Sequence, residues 1–289
     1  MDSLSELLHE AKAQGHTLGQ MAVLYEAESS FCTPETAIKQ MMIHLDTMEA
    51  AIDKGLHTPL PSVSGQSGGD AQRLSRQNPR LLGTMAHQAM VYALATMEVN
   101  ASMGRIVAAP TAGSCGIVPG VLFAVARSGD YTREQMVQAL FAAAAVGQVI
   151  GQNATLSGAQ GGCQAECGSA AAMAAAAVVE LVGGSPDAAL EASAMALKNT
   201  LGLACDPVAG LVEIPCIKRN ALCALLSLGA AEMALAGITS AIPVDEVIGA
   251  MDSVGRSLPA ELKETAGGGL AQTPRGRHIA RSLYGEPKE

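Results

Sequence analysis

Four of the seven cysteines fall in two close pairs, Cys163 and Cys167 in GGCQAECG and Cys205 and Cys216 in CDPVAGLVEIPC. Gly or Pro brackets each pair, which puts the thiols at helix ends and in loops, where several sulfurs can turn toward one point. Thiolates gathered in this way bind soft metals. A structural zinc site favours paired C-x₂₋₄-C knuckles, and only Cys163 and Cys167 have that spacing. An iron–sulfur cluster needs thiolates without a fixed interval outside ferredoxin-type runs, so the spacing leaves both open. Cys32, Cys115 and Cys223 are dispersed. Cys32 and Cys223, in apolar helical surroundings, read as buried space-fillers.

Two glycine-rich segments offer hydroxyls and bare amides. In PSVSGQSGGDA, Ser64, Gly65, Ser67, Gly68, Gly69 and Asp70 suit a small anionic ligand, although a plain linker has the same composition. In TAGSCGIVPG, Thr111, Gly113, Ser114 and Gly116 form a turn entering a helix, where free N–H groups can hold a carboxylate. That turn has neither the P-loop nor the dinucleotide spacing, and simple helix entry explains it as well. The six His are scattered: His9, His16 and His44 on N-terminal helices, His57 before the Ser/Gly loop, His87 on the next helix, His278 in the tail. Each reads as a surface or helix-face residue, with His57 nearest a candidate loop. No base for proton transfer stands out.

Helices must position these groups. The chain has 289 residues, 49% of them apolar and 2% aromatic, with 14 Met and no Trp, so its core is built from Ala, Leu, Val, Ile and Met. That composition favours helix packing over a sheet. The expected fold is mainly α, a single large helical domain over 1–289 whose Gly/Ser-rich loops converge on the cysteines. The net charge of −9 without a basic stripe argues against a nucleic-acid partner. The start MDSLSELLHEAKAQG lacks a basic and apolar leader, so a cytoplasmic location and reduced thiols are expected. Ala221 to Val244 is long enough to cross a bilayer with Glu232 as its only charge. Glu232 at mid-run, Gly229, Gly237 and the lack of flanking aromatics favour instead a helix buried all round, and no membrane contact.

Ser3 and Glu6 form a capping box for a helix ending at Gly15, and Thr33–Pro34 opens a longer one to Gly55. Residues 1–55 are thus N-terminal helices and 56–79 a Ser/Gly loop with no regular helix. The core, 80–289, should carry helices over 80–100, 121–127, 133–149, 168–182, 186–200 and 220–241. An amphipathic helix from Pro243, a loop at 267–269 and a final turn or helix to Glu289 complete it.

The segments SGQSGGDAQRL (64–74), NASMGRIVAAPTAGSCGIVPG (100–120), NATLSGAQGGCQAECGSA (153–170) and CDPVAGLVEIPCIKRNA (205–221) resemble, in order, the alpha subunit of bacterial iron–sulfur-dependent L-serine dehydratase (L-serine ammonia-lyase). The resemblance implies a [4Fe–4S] cluster held by Cys163, Cys205 and Cys216, 42 and 11 residues apart. One iron is then left open, and Cys167 falls where the family commonly has a non-ligand. Some fused members end in a Cys that plugs that iron, whereas this chain ends SLYGEPKE. The implied reaction converts L-serine to pyruvate and ammonia, through loss of water to an aminoacrylate that tautomerises and hydrolyses. The open iron would act as Lewis acid on the β-hydroxyl. Substrate holding falls to Ser64, Gly65, Ser67, Thr111, Gly113 and Ser114, and the base to a separate β subunit, the expected partner. Serine catabolism feeding gluconeogenesis is the implied role. PLP is not expected, because the one Lys near a candidate site, Lys218, lies in IPCIKRN, a context similar to the iron–sulfur family. Two rivals are a related lyase acting on cysteine and a non-catalytic scaffold binding zinc.

Overall fold

The computed structural model describes residues 2–285, and these form one all-helical domain. Its first helix, α1 (Leu4–Gln14), is capped by Ser3, whose hydroxyl accepts from the Glu6 amide at 3.1 Å. The Glu6 carboxylate turns to the Asp2 amide, so only half of the expected capping box forms. Gly15, at φ 68°, ends α1 in the left-handed turn that glycine tolerates best. An additional helix, α2 (Leu18–Ser29), occupies a stretch for which no element was expected; Thr17 and Gln20 form its capping box. Its buried residues do not sort onto one stripe, which hides the helical period. Next, α3 (Pro34–His57) follows Thr33 as expected.

The Ser/Gly segment is not wholly irregular. A short helix, α4 (Asp70–Ser75), starts after Gly69 because the buried Glu98 carboxylate accepts the amides of Asp70 at 2.6 Å and Ala71 at 3.2 Å. A tertiary acceptor here does the work of an N-cap, which local sequence cannot reveal. Glu98 sits on α5 (Thr84–Ala101), and its burial raises its pKa despite those two amides. Between the ordinary carboxylate range and that elevated one, the folded chain keeps a proton that the unfolded chain has released. This group therefore costs stability as pH climbs through the interval. Glu98→Gln, which retains an accepting oxygen, should flatten that part of the slope; denaturant midpoints measured from pH 4 to 8 check it.

After α6 (Ile117–Ala126), α7 (Arg133–Asn153) and the single turn α8 (Gly158–Gly161), a π-helical turn over Gln164–Gly168 runs into α9 (Ser169–Leu181). Helix α9 carries the alanine run and is the centre of the fold, packed on α6, α7, α10 (Pro186–Lys198) and α11 (Cys216–Leu235). Small side chains let these backbones approach closely. Two further helices follow, α12 (Val244–Ser257) and α13 (Pro274–Tyr284). Residues 286–289, the end of the expected terminal turn or helix, lie outside the described residues.

The apolar run from Ala221 departs from expectation. It is not one helix: α11 ends at Leu235, with Gly237 at φ 81° and the Ile238 amide reaching back to the Met233 carbonyl, and α12 begins at Val244. Nor is α11 buried all round, because Leu222, Met233 and Leu235 are exposed. No described helix is long and apolar enough to cross a membrane.

Candidate functional site

Three segments carry the three cysteines. Cys163 opens the π turn that feeds α9; Cys205 lies in an extended loop whose amide donates to the Leu262 carbonyl at 2.8 Å and whose carbonyl accepts from the Glu264 amide at 2.7 Å; Cys216 is the first residue of α11. All three are buried. The sulfurs of Cys163 and Cys205 are near enough to shift each other's ionisation, and both lie within electrostatic reach of Cys216. A π turn often marks a functional position in a helix. Here it places Cys167 Sγ 3.4 Å from Cys163 Sγ.

Charge is unevenly shared among these thiols. Hydrogen bonds from Cys167 and Cys205 hold the Cys163 thiol well below its usual range against the opposing effect of burial, and the Arg219 guanidinium adds to the lowering. The same bonds push Cys167 and Cys205 up, while desolvation lifts Cys216 to about 12. Arg219 is fixed by the Ala204 carbonyl and by Asp206 Oδ1, each at 2.8 Å, and Asp206 Oδ2 accepts the Leu270 amide.

Cys223 is buried as expected, and its sulfur lies near enough to Cys167 to help raise that thiol's pKa. One helical turn earlier, Asn220 of the same α11 bonds to the 111–116 turn. Cys32 is in the α2–α3 connection and half-buried, so its expected helical setting is wrong. Cys115 is buried with its Sγ 3.5 Å from Met97 Sδ.

Each hydroxyl loop bonds to a carboxylate, and the 111–116 turn reaches a thiol through its own. Thr111 Oγ1 donates to Glu166 Oε1 at 2.8 Å, and Cys205 Sγ is 3.7 Å from Glu166 Oε2. Glu166 belongs to the π turn. Desolvation raises its pKa to about 7, and the nearby charges of Cys163 and Glu264 push in the same direction. Ser114 is fully buried, and its hydroxyl closes the turn on Thr111 at 3.1 Å. Gly113 lies against Glu166, where an added Cβ would stand 2.9 Å from Oε1. On the other loop, the Ser64 hydroxyl donates to Glu213 Oε2 at 2.5 Å and its amide to Oε1 at 3.1 Å. Gly65 takes φ 70°, and Ser67 Oγ is buried with no hydrogen-bond partner. Asn220 joins the parts: its Oδ1 accepts the Gly116 amide at 3.0 Å and its Nδ2 donates to the carbonyls of Gly113 and Cys216.

Glu166, Glu213, Asn220 and Arg219 were absent from the candidate set, although all four lie inside the motif segments. Only proximity to Cys163 and Cys216 in sequence could have flagged them. Of the histidines, His57 is exposed with Nδ1 2.8 Å from the Asp53 carbonyl oxygen. His87 is not a surface residue: it is buried on α5, and its Nε2 has no partner. Lys218 pairs with Asp70.

Comparison with known proteins follows the same segments. The family described as "Serine dehydratase alpha chain" matches residues 4–271. A relative from Bacillus subtilis (strain 168), called "Probable L-serine dehydratase, alpha chain", is 50% identical over 286 residues, 98% of this chain and 95% of that one. The "L-serine dehydratase, alpha chain" of Peptoniphilus asaccharolyticus is 40% identical over 289 residues, with 99% of both chains covered. The "L-serine dehydratase 1" of Escherichia coli (strain K12) is 38% identical over 284 residues, 93% of this chain but only 61% of that longer protein. On these matches, which take in the thiol-bearing segments and both hydroxyl loops, the chain belongs to the serine dehydratase alpha chain family.

Proposed function

We propose that the chain is the alpha subunit of an L-serine ammonia-lyase that converts L-serine to pyruvate and ammonia with a [4Fe–4S] cluster held by Cys163, Cys205 and Cys216. The observation that supports this reading is that three buried thiols from three segments lie within electrostatic reach of one another, with Glu166 and the 111–116 turn beside Cys205. Their chemistry fits such a cluster. The donors are sulfurs, and the Arg219 guanidinium favours the charged form of Cys163. Gly158 leaves Cys205 uncrowded, since a Cβ there would stand 3.0 Å from its sulfur. No three His, Cys, Asp or Glu among the described residues close on one point as ligands of a single ion would. A cluster makes no such demand, because each thiolate binds its own iron.

When bound, the cluster would supply a Lewis-acidic iron without a protein ligand, able to polarise the β-hydroxyl and take up its developing charge. The chain's own residues bind and orient. Thr111 and the Gly113 backbone, beside Glu166, line the substrate-holding turn, and buried Ser114 keeps its shape. Ser64, Gly65 and Ser67 form the second wall, and Glu213 fixes it to the segment that carries Cys216. The α-proton needs a base, and His57 and His87 are committed to α3 and to the core. The base is assigned to a separate β chain. The alpha-chain relatives match this chain nearly end to end, whereas the longer E. coli protein has additional length that such a partner would supply.

The reading is tested by iron and sulfide analysis with Mössbauer spectra of anaerobic protein, with and without L-serine. Four irons and four sulfides, with one iron changing on serine addition, are expected. Zinc without labile sulfide would replace this reading with the scaffold, and a higher kcat/KM for cysteine than for serine would change the substrate.

A further inference from the structure

We propose that Glu166 receives the α-ammonium of the amino-acid substrate and thereby selects amino acids over their des-amino counterparts; this rests on the serine reading above. Both hydroxyl loops were expected to cradle an anion, yet each faces a carboxylate. Ser64 is spent on Glu213, which is only 4% exposed and already accepts from the Ser64 hydroxyl and amide. Glu166 differs. It keeps partial exposure, and Oε1 takes the Thr111 hydroxyl at 2.8 Å, while the neighbour of Oε2 is the Cys205 thiol at 3.7 Å.

A thiol that becomes a metal ligand has no proton left to donate. In the loaded protein Oε2 then lacks its one neighbouring donor, and a largely buried carboxylate oxygen requires another. The ammonium group is the cationic donor that an α-amino acid brings. The same carboxylate repels the substrate carboxylate, so the two ends of serine are told apart by charge. Bare backbone flanks both oxygens: a Cβ on Gly158 would stand 2.5 Å from Oε2 and one on Gly113 2.9 Å from Oε1.

The test uses anaerobic holoenzyme with its β chain and two unreactive ligands followed by calorimetry: L-alanine, which has an ammonium, and propanoate, which lacks one. Wild type should bind alanine at least ~10-fold more tightly, the scale of one hydrogen bond to a charged group. Glu166→Gln should bring the two affinities near equality, with propanoate binding unchanged or improved and iron content retained. Glu166→Asp, with the charge drawn back by one methylene, should retain part of the preference. Equal affinities in wild type, or an undiminished preference in E166Q or E166D, would overturn the assignment. Absence of an iron–sulfur centre in wild type would instead overturn the functional reading, while the alanine preference is still read by binding alone.

Discussion

Cys205→Ser protein, purified without oxygen and supplied with its β chain, should lose iron and sulfide and fall in kcat by ~10³-fold or more. Removing the Lewis acid withdraws several kcal/mol from the transition state, and each 1.4 kcal/mol is about tenfold in rate. Two other cysteines act as controls. Cys167→Ala should keep the cluster, because Cys167 is fully buried and its thiol is held protonated by its neighbours. Cys32→Ser should change neither metal content nor rate, since Cys32 sits in the α2–α3 connection, away from the thiol cluster. Iron and sulfide assays beside steady-state kinetics decide it; full turnover in the Cys205 variant would sink the ligand assignment.

Phe123→Ala should be the costliest single change to the fold. The chain has three Phe and no Trp, and Phe123, only 1% exposed, is the largest of its fully buried side chains. An alanine-rich interior has few long side chains that could collapse into the space, so ~3–5 kcal/mol should be lost. Arg127 also stacks 5.4 Å from the Phe123 ring centroid and 5.0 Å from that of Tyr92, holding the end of α6 against α5. Against a total stability of about 5–15 kcal/mol, the loss leaves a marginal protein. Urea unfolding at constant m-value measures it; a change below ~1 kcal/mol would mean that the site repacks.

Much of the architecture was readable from local signals. Ser3, Thr33–Pro34 and Gly15 mark helix ends because capping is satisfied within a few residues, and the structure keeps each of them. Signals failed where the partner is distant in sequence. Helix α4 exists because Glu98, 28 residues from Asp70, accepts its first amides. Helix α11 looked wholly buried because hydropathy does not say which side meets a neighbour. The site was legible as cysteines and glycine-rich loops, since those residue types are conspicuous. Its carboxylates and Asn220 were not, because a Glu in a helical stretch ordinarily signals a solvated face.

The stretch from Glu213 to Asn220 grips one loop through Glu213, carries Cys216, and grips the other loop through Asn220, so eight consecutive residues serve as a common hinge pin. Anyone grafting a new specificity onto either wall would have to leave this pin untouched, because a small shift there reaches the sulfur and both walls together.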